Sequence, residues 1–197
     1  MAKNMQPILK RCRTLGIEPS VMGIDKSSNR NPKPKRKKQR EYGRQLTEKQ
    51  KVKLIYGMLE KQYRKYYHIA TKMPGVAGEN LLSLLESRLD NVVFRLGLAN
   101  TRRESRQIVN HGHVLVNGKR LDIPSYRVKV GDVITLKEQT QTSDRIKAIV
   151  EANSSRLVPK WLDMDKNTLS GKVIAMAQRD DIDFEVEEHL IVELYSK

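Results

Sequence analysis

Thr101-Arg102-Arg103-Glu104-Ser105-Arg106-Gln107-Ile108-Val109-Asn110-His111-Gly112-His113-Val114-Leu115-Val116-Asn117-Gly118 changes its hydrophobic period once, at Gly112, and that change decides the fold. Before it, Thr101 with Glu104 three residues later forms a capping box that satisfies backbone donors at a helix start. Gly112 closes that helix. After it the period is two, so His113–Val116 reads as a strand, and Asn117-Gly118 is a strong tight-hairpin signal. Working outward, Tyr126–Val130 and Val133–Lys137 alternate apolar and polar residues around Gly131-Asp132, which predicts two more strands. Upstream, Gly75 and Gly78 flank a break, and Glu79 opens a leucine-rich helical pattern that continues through Asp90 to Leu96. Gly97 there is a left-handed C′ residue. Residues 88–137 therefore read as helix, helix, strand, turn, strand, strand, which is two short helices on a small, mainly antiparallel sheet. The fold class is α+β.

The flanks are simpler. Ser143 opens a short helix over 143–151, Asn153-Ser154-Ser155 is a polar linker, and a strand is predicted near Trp161. Ile182, Phe184 and Val186 alternate with acids, ahead of a helix from Glu187 to Tyr195. Toward the front, Thr47 and Gln50 predict a capping box that opens a long helix. Its stripe is Val52, Ile55, Tyr56, Leu59, Tyr63 and Tyr66. An ordinary amphipathic helix explains that stripe fully. It explains less well a wet side with Lys49, Lys53, Lys61, Arg64 and Lys65 against only Glu48 and Glu60. Residues 1–45 hold Pro7, Pro19, Pro32 and Pro34 with few large apolar side chains, and read as an extension unable to fold alone. Within them Lys33–Arg40 carries six charges in eight residues, a run that repels itself until counter-charge arrives. It suits a solvated tail, a nuclear localisation signal or an RNA contact.

Charge narrows the function. The chain has 38 Lys and Arg against 23 Asp and Glu, a net of +15. Residues 1–65 are at +14, 66–179 at +7 and 180–197 at −6, so phosphate neutralisation is predicted to be densest at the front. No run of 18 apolar residues and no signal-peptide core are present, so no membrane partner is expected. One cysteine, Cys12, closes no intramolecular disulfide. The four histidines are too scattered for a local metal motif, so no metal and no cofactor are expected. Phosphate-binding, dinucleotide-binding and nucleophile-elbow loops are missing. His111-Gly112-His113 has no Cys or carboxylate arrangement beside it, and nothing argues for an enzyme.

The sharper chemistry lies on the predicted helix after Thr101. Duplex RNA hides its base edges in a deep groove, so proteins read its shape through phosphates and 2′-hydroxyls. Arg102, Arg103 and Arg106, with Gln107 beside them, suit phosphate because a guanidinium fork matches two phosphate oxygens. His113, Asn117, Lys119 and Arg120 extend that surface along the hairpin.

Arg88–Val93, Thr101–Gln107 and Gly112–Lys119 together resemble the alpha-L (S4-type) RNA-binding motif. Tyr42–Lys51, Ile55-Tyr56-Gly57, Gly78–Leu82 and Glu188–Lys197 are similar to the family of the fourth protein of the small ribosomal subunit, bacterial or organellar. The resemblance runs from about residue 40 to the end, four separated blocks in order. It implies a motif domain (88–152) inserted into a helical domain (46–87, completed by 153–197) behind a basic extension (1–45). It also implies a primary binder of small-subunit, 16S-type ribosomal RNA that nucleates assembly of the 5′ domain. Contacts with the fifth small-subunit protein, linked to decoding accuracy, follow from the same likeness. So do RNA contacts for Tyr42, Arg44, Gln45, Lys49, Lys53 and Arg64, and a place for Lys35, Arg36 and Lys38 near the channel where messenger RNA enters. Two departures stand out: many relatives bind zinc through N-terminal cysteines where only Cys12 remains here, and Thr101 and Ser105 replace smaller residues. The alternatives are a targeting module of an RNA-modifying enzyme, for which about sixty residues after the motif are few, and a free regulatory RNA binder. The expected location is the cytoplasmic or organellar ribosome.

Overall fold

Glycine breaks and short amphipathic stripes cut the basic front of the chain into separate helices. The computed structural model describes residues 4–26, 30 and 40–196. The chain divides into two units: one runs to Leu81 and resumes at Asp183, and the other, Leu82–Ile182, is inserted between them in sequence. The class is α+β, as the pattern predicts.

In the first unit, α1 (Ile8–Leu15) buries Cys12, and a 3-10 turn (Pro19–Met22) buries Met22. The stretch read as unable to fold alone is thus partly helical, because α1 finds a partner in α2 (Glu41–Ile55). Helix α2 begins six residues before Thr47. Thr47 is interior, and its hydroxyl donates to the Gly43 carbonyl at 2.7 Å rather than capping. Nor is there one long helix, because Gly57 takes φ +62° and the chain restarts as α3 (Glu60–Ala70). Helix α4 (Ala77–Glu86) crosses the boundary after Leu81, and the chain returns to the first unit as α9 (Glu188–Ser196), which packs on α2. Aromatic contacts join α9 to α3: the Tyr195 ring stacks on Tyr67 at 4.5 Å, and the Tyr67 hydroxyl donates to the Val192 carbonyl at 3.4 Å. Phe184 and Val186 are buried and lie outside any strand.

The inserted unit carries α5 (Leu89–Arg95), α6 (Arg102–Asn110), β1 (Val114–Val116), β2 (Lys119–Arg120), β3 (Val133–Leu136), α7 (Glu138–Gln141), α8 (Asp144–Ala152), β4 (Leu162–Asp165) and β5 (Ser170–Val173). The sheet order is β2-β1-β3-β5-β4, with every pairing antiparallel. Alternation puts Val114, Val116, Ile134, Leu136, Leu162 and Val173 on the face that packs with Val92 and Val93 of α5, with Leu96 at its C-cap and with Trp161. Helix and sheet approach closely there: a Cβ at Gly171 would collide with Leu96.

Three readings need correction. The helical pattern over 79–96 is interrupted, because Arg88 is extended (φ −70°, ψ 137°) and starts α5 anew. Tyr126–Val130 is not a strand; it makes one bridge, Arg88 with Arg127, and the Val128 amide donates to the Ser87 carbonyl at 2.8 Å. Residues 153–182 belong to the sheet unit rather than to the helical one, because β5 pairs with β3 (Val133 opposite Lys172) and Trp161, Leu162 and Val173 fill its core.

Candidate nucleic-acid interface

The local signals that open α6 work as read. Thr101 caps the helix by accepting from the Glu104 amide at 3.2 Å, and the Glu104 carboxylate accepts from the Asn100 amide at 3.0 Å. Gly112 ends it at φ +70°, a backbone conformation that favours glycine, and the Arg120 guanidinium lies over the end of α6 there. Asn117 (φ +51°) and Gly118 (φ +76°) make the tight turn. The Asn117 amide is used internally, donating to Asp132 at 2.8 Å and accepting from the Val133 amide at 2.9 Å.

The arginines of α6 divide by helical phase. Arg102 points inward at 6% exposure: its Nε donates to the Asn91 side chain at 2.8 Å, and its guanidinium lies 4.3 Å from the centre of the Phe94 ring. Arg106 is half-buried and approaches Asp90 at 3.8 Å. Arg103 and Gln107, four apart, form the exposed face. Lys119, Arg120, Arg127 and Lys129 are exposed in the same unit.

Beneath them lies a network that sequence reading missed. Arg88 grips Asp90 with two hydrogen bonds, at 3.0 and 2.6 Å. Arg95 grips Glu86 likewise, at 3.0 and 2.8 Å, and Asn91 donates to the same carboxylate at 2.7 Å. The Ser105 hydroxyl, inside α6, donates to the Asp90 carbonyl of α5. The Arg95–Glu86 pair thus ties α5 to α4, and the Ser105 bond ties α6 to α5.

His113 is half-buried and shares a 3.0 Å hydrogen bond with the Thr140 hydroxyl; burial first, then His111, Lys137 and Arg120, lower its pKa. His111 and Lys137 line the same hollow, of about 370 Å³. A proton there is disfavoured first by burial and then by the neighbouring basic groups.

In the first unit the predicted contacts scatter. Tyr42 is exposed, Arg64 is exposed, and Arg44 reaches Glu187 at 3.5 Å. Gln45 is fully buried, so its side chain belongs to the packing. Lys49 and Lys53 both bind Glu60, at 3.0 and 2.8 Å, and the Tyr195 hydroxyl donates to it at 2.8 Å. Burial raises the Glu60 pKa, but the bonds from Lys53, Lys49 and Tyr195 outweigh it and lower the value to about 2. A depressed carboxylate contributes stability above its unfolded value of 4.5 that is lost as pH falls through 4.5 toward 2. Glu60→Gln is therefore expected to cost about 1 kcal/mol at pH 7, an amount discounted because the Glu60 side chain is nearly half exposed, and to cost less below pH 4. Urea midpoints at pH 7 and pH 3 check this; an equal loss at both would remove the carboxylate's role.

Lys35, Arg36 and Lys38 lie outside the described residues. Among the described residues no group of three His, Cys, Asp or Glu could hold a metal ion, and no helix is long and apolar enough to cross a membrane.

Comparison with known proteins fits this geometry. The S4 domain family matches residues 87–134, which run from Ser87 to the second residue of β3, and the Ribosomal protein S4/S9 N-terminal domain family matches residues 3–86. Small ribosomal subunit protein uS4 of Agathobacter rectalis is 56% identical over 197 residues, covering all of both chains. The chain belongs to the uS4 family. The uS4 proteins of Lachnoclostridium phytofermentans and Fusobacterium nucleatum are 57% and 51% identical, again across the full length of both. Within the uS4 chain the S4 domain family stops before β4 and β5, so nearly half of the inserted unit lies beyond the part by which that family is recognised.

Proposed function

We propose that the chain is a structural constituent of the small ribosomal subunit that binds its ribosomal RNA through the exposed face of α6 and the adjoining β1–β2 hairpin. Family membership supports the ribosomal role. The observation that carries the RNA surface is the division of α6: Arg102 and Arg106 are held against Asn91, Phe94 and Asp90, while Arg103 and Gln107 stay exposed, as do Lys119 and Arg120 on the hairpin. A helix locked from below presents its outer guanidinium at a fixed position, which suits a folded RNA whose phosphates are also fixed.

The finer role is part of the same proposal. The chain binds 16S-type RNA early, nucleates the 5′ domain, and works on the ribosome without catalysing a reaction. It touches small-subunit protein five and supports decoding accuracy. Lys35, Arg36 and Lys38 serve messenger RNA near its point of entrance. Of the first-unit candidates, Tyr42, Arg44 and Arg64 remain available as RNA contacts by their exposure, and Lys49 and Lys53 contribute positive field while neutralised in part by Glu60.

Gradient fractionation combined with crosslinking tests this. The protein is expected with small subunits, crosslinked to their RNA from α6 and the hairpin, to messenger from residues 35–38, and to protein five. Protein found mainly unassociated, with crosslinks to other transcripts, would instead make it a free regulatory binder.

A further inference from the structure

The segment after α8 carries no part of the proposed RNA surface, yet it holds the connection on which that surface is built. The Asn153 side-chain amide donates to the Gly97 carbonyl at 3.1 Å and to the Asn100 side-chain oxygen at 2.9 Å. Arg156 donates to three carbonyls of the same stretch: Phe94 and Ala99, both at 3.3 Å, and Asn100 at 3.4 Å. Its guanidinium also lies 4.6 Å from the centre of the Phe94 ring, the ring that Arg102 approaches at 4.3 Å. These acceptors are the last carbonyls of α5 and the turn into α6. Carbonyls at a helix end and in the turn after it have acceptor capacity to spare, and a planar guanidinium holds its donors in a fixed fork that spans several of them, whereas lysine offers three donors from a single nitrogen on a flexible stem.

We infer that Asn153 and Arg156 are positioning residues for RNA recognition, a clamp that fixes the Gly97–Asn100 turn and so sets where α6 presents Arg103 and Gln107. The inference rests on the RNA surface proposed above. The path is continuous. Asn153 and Arg156 hold Asn100; the Asn100 amide donates to Glu104; Glu104 in turn donates its amide to the Thr101 cap. A second path runs from Arg156 through Phe94 to Arg102, the first residue of α6. The clamp lies beyond residue 134, outside the stretch matched by the S4 domain family, so this chain completes its RNA-facing helix with residues from a later part of the unit. Removing a group that orients a contact weakens binding without removing the contact itself.

The test uses the full chain and small-subunit ribosomal RNA, with Asn153→Ala, Arg156→Gln and Arg156→Lys, at a temperature where Trp161 fluorescence reports the native state. Expected results are about tenfold weaker binding for Arg156→Gln, a smaller loss for Asn153→Ala, and no rescue by Arg156→Lys. The slope of log affinity against log salt stays unchanged, because no phosphate contact is lost. Amides of residues 100–105 exchange faster with deuterium. If Arg156→Lys restores affinity and Arg156→Gln lowers the slope by about one unit, Arg156 touches phosphate directly and the clamp is wrong. Faster exchange with unchanged affinity also overturns it, leaving a purely structural contact. The control Arg103→Gln separates the two readings: if it changes neither affinity nor slope, the RNA surface itself fails, whatever the clamp variants do.

Discussion

Glu86→Ala is expected to destabilise the inserted unit by about 3–5 kcal/mol. Glu86 is fully buried, and its carboxylate accepts two bonds from Arg95 and one from Asn91. Truncation leaves the Arg95 guanidinium, 6% exposed, without its carboxylate in a site that water reaches poorly. The loss is therefore dominated by the desolvation of a buried charge, not by the worth of the lost bonds. Glu86→Gln keeps the shape and one acceptor oxygen and is expected to cost less, about 1–3 kcal/mol. Glu104 provides the contrast: its ion pair with Arg145 is as short, 2.8 Å, but Arg145 is largely exposed, and Arg145→Ala is expected to cost less than about 1 kcal/mol. The protein has one tryptophan, Trp161, buried in this unit's core, so urea unfolding followed by its fluorescence reads this unit alone. A midpoint for Glu86→Ala within the range of Arg145→Ala would mean that Arg95 finds other compensation.

The same network shows which parts of the structure were legible in the sequence. Cap and turn signals are local: Thr101 with Glu104, Gly112 and Asn117-Gly118 each act within a few residues, and each appears where the pattern places it. Thr47 with Gln50 has the same spelling but sits inside α2, because a threonine hydroxyl can bond the carbonyl four residues back without ending a helix. Tyr126–Val130 alternates like a strand, yet its partner is the extended residue Arg88 rather than a neighbouring strand. Strands β4 and β5 were half visible, since Leu162-Asp163-Met164-Asp165 alternates, but the pairing of β5 with β3 joins residues 39 apart and leaves no local mark. The charged groups were read by type and not by depth. Arg102, Arg103 and Arg106 spell one basic cluster, and only the packing of α6 on α5 decides that Arg103 faces out while Arg102 meets Asn91 eleven residues earlier.

That division changes which substitution tests RNA binding. Reversing Arg102, Arg103 and Arg106 together would confound recognition with unfolding, because Arg102 and Arg106 are tied to the core. The exposed set Arg103→Gln, Lys119→Gln and Arg120→Gln is expected to weaken binding to small-subunit ribosomal RNA roughly a hundredfold at moderate salt, with the native fold intact. Each phosphate contact removed lowers the salt slope by about one unit, so the triple variant should show a slope about three units shallower. Its loss should also shrink as salt rises, since the wild-type advantage is carried by released counterions. Lys172 supplies the control. It alternates with the core residues Gly171 and Val173 on β5 and so faces away from the helices. Lys172→Gln changes the net charge as much as any one of the three but is expected to shift affinity by less than about threefold, through the long-range field alone. Filter binding over a salt series measures all four variants. If Lys172→Gln matched Arg103→Gln in both affinity and slope, the basic residues would act as a diffuse cloud, and the geometry of α6 would carry no recognition. A steep slope lost at Arg103, Lys119 and Arg120 and kept at Lys172 is what a fixed surface on a locked helix requires.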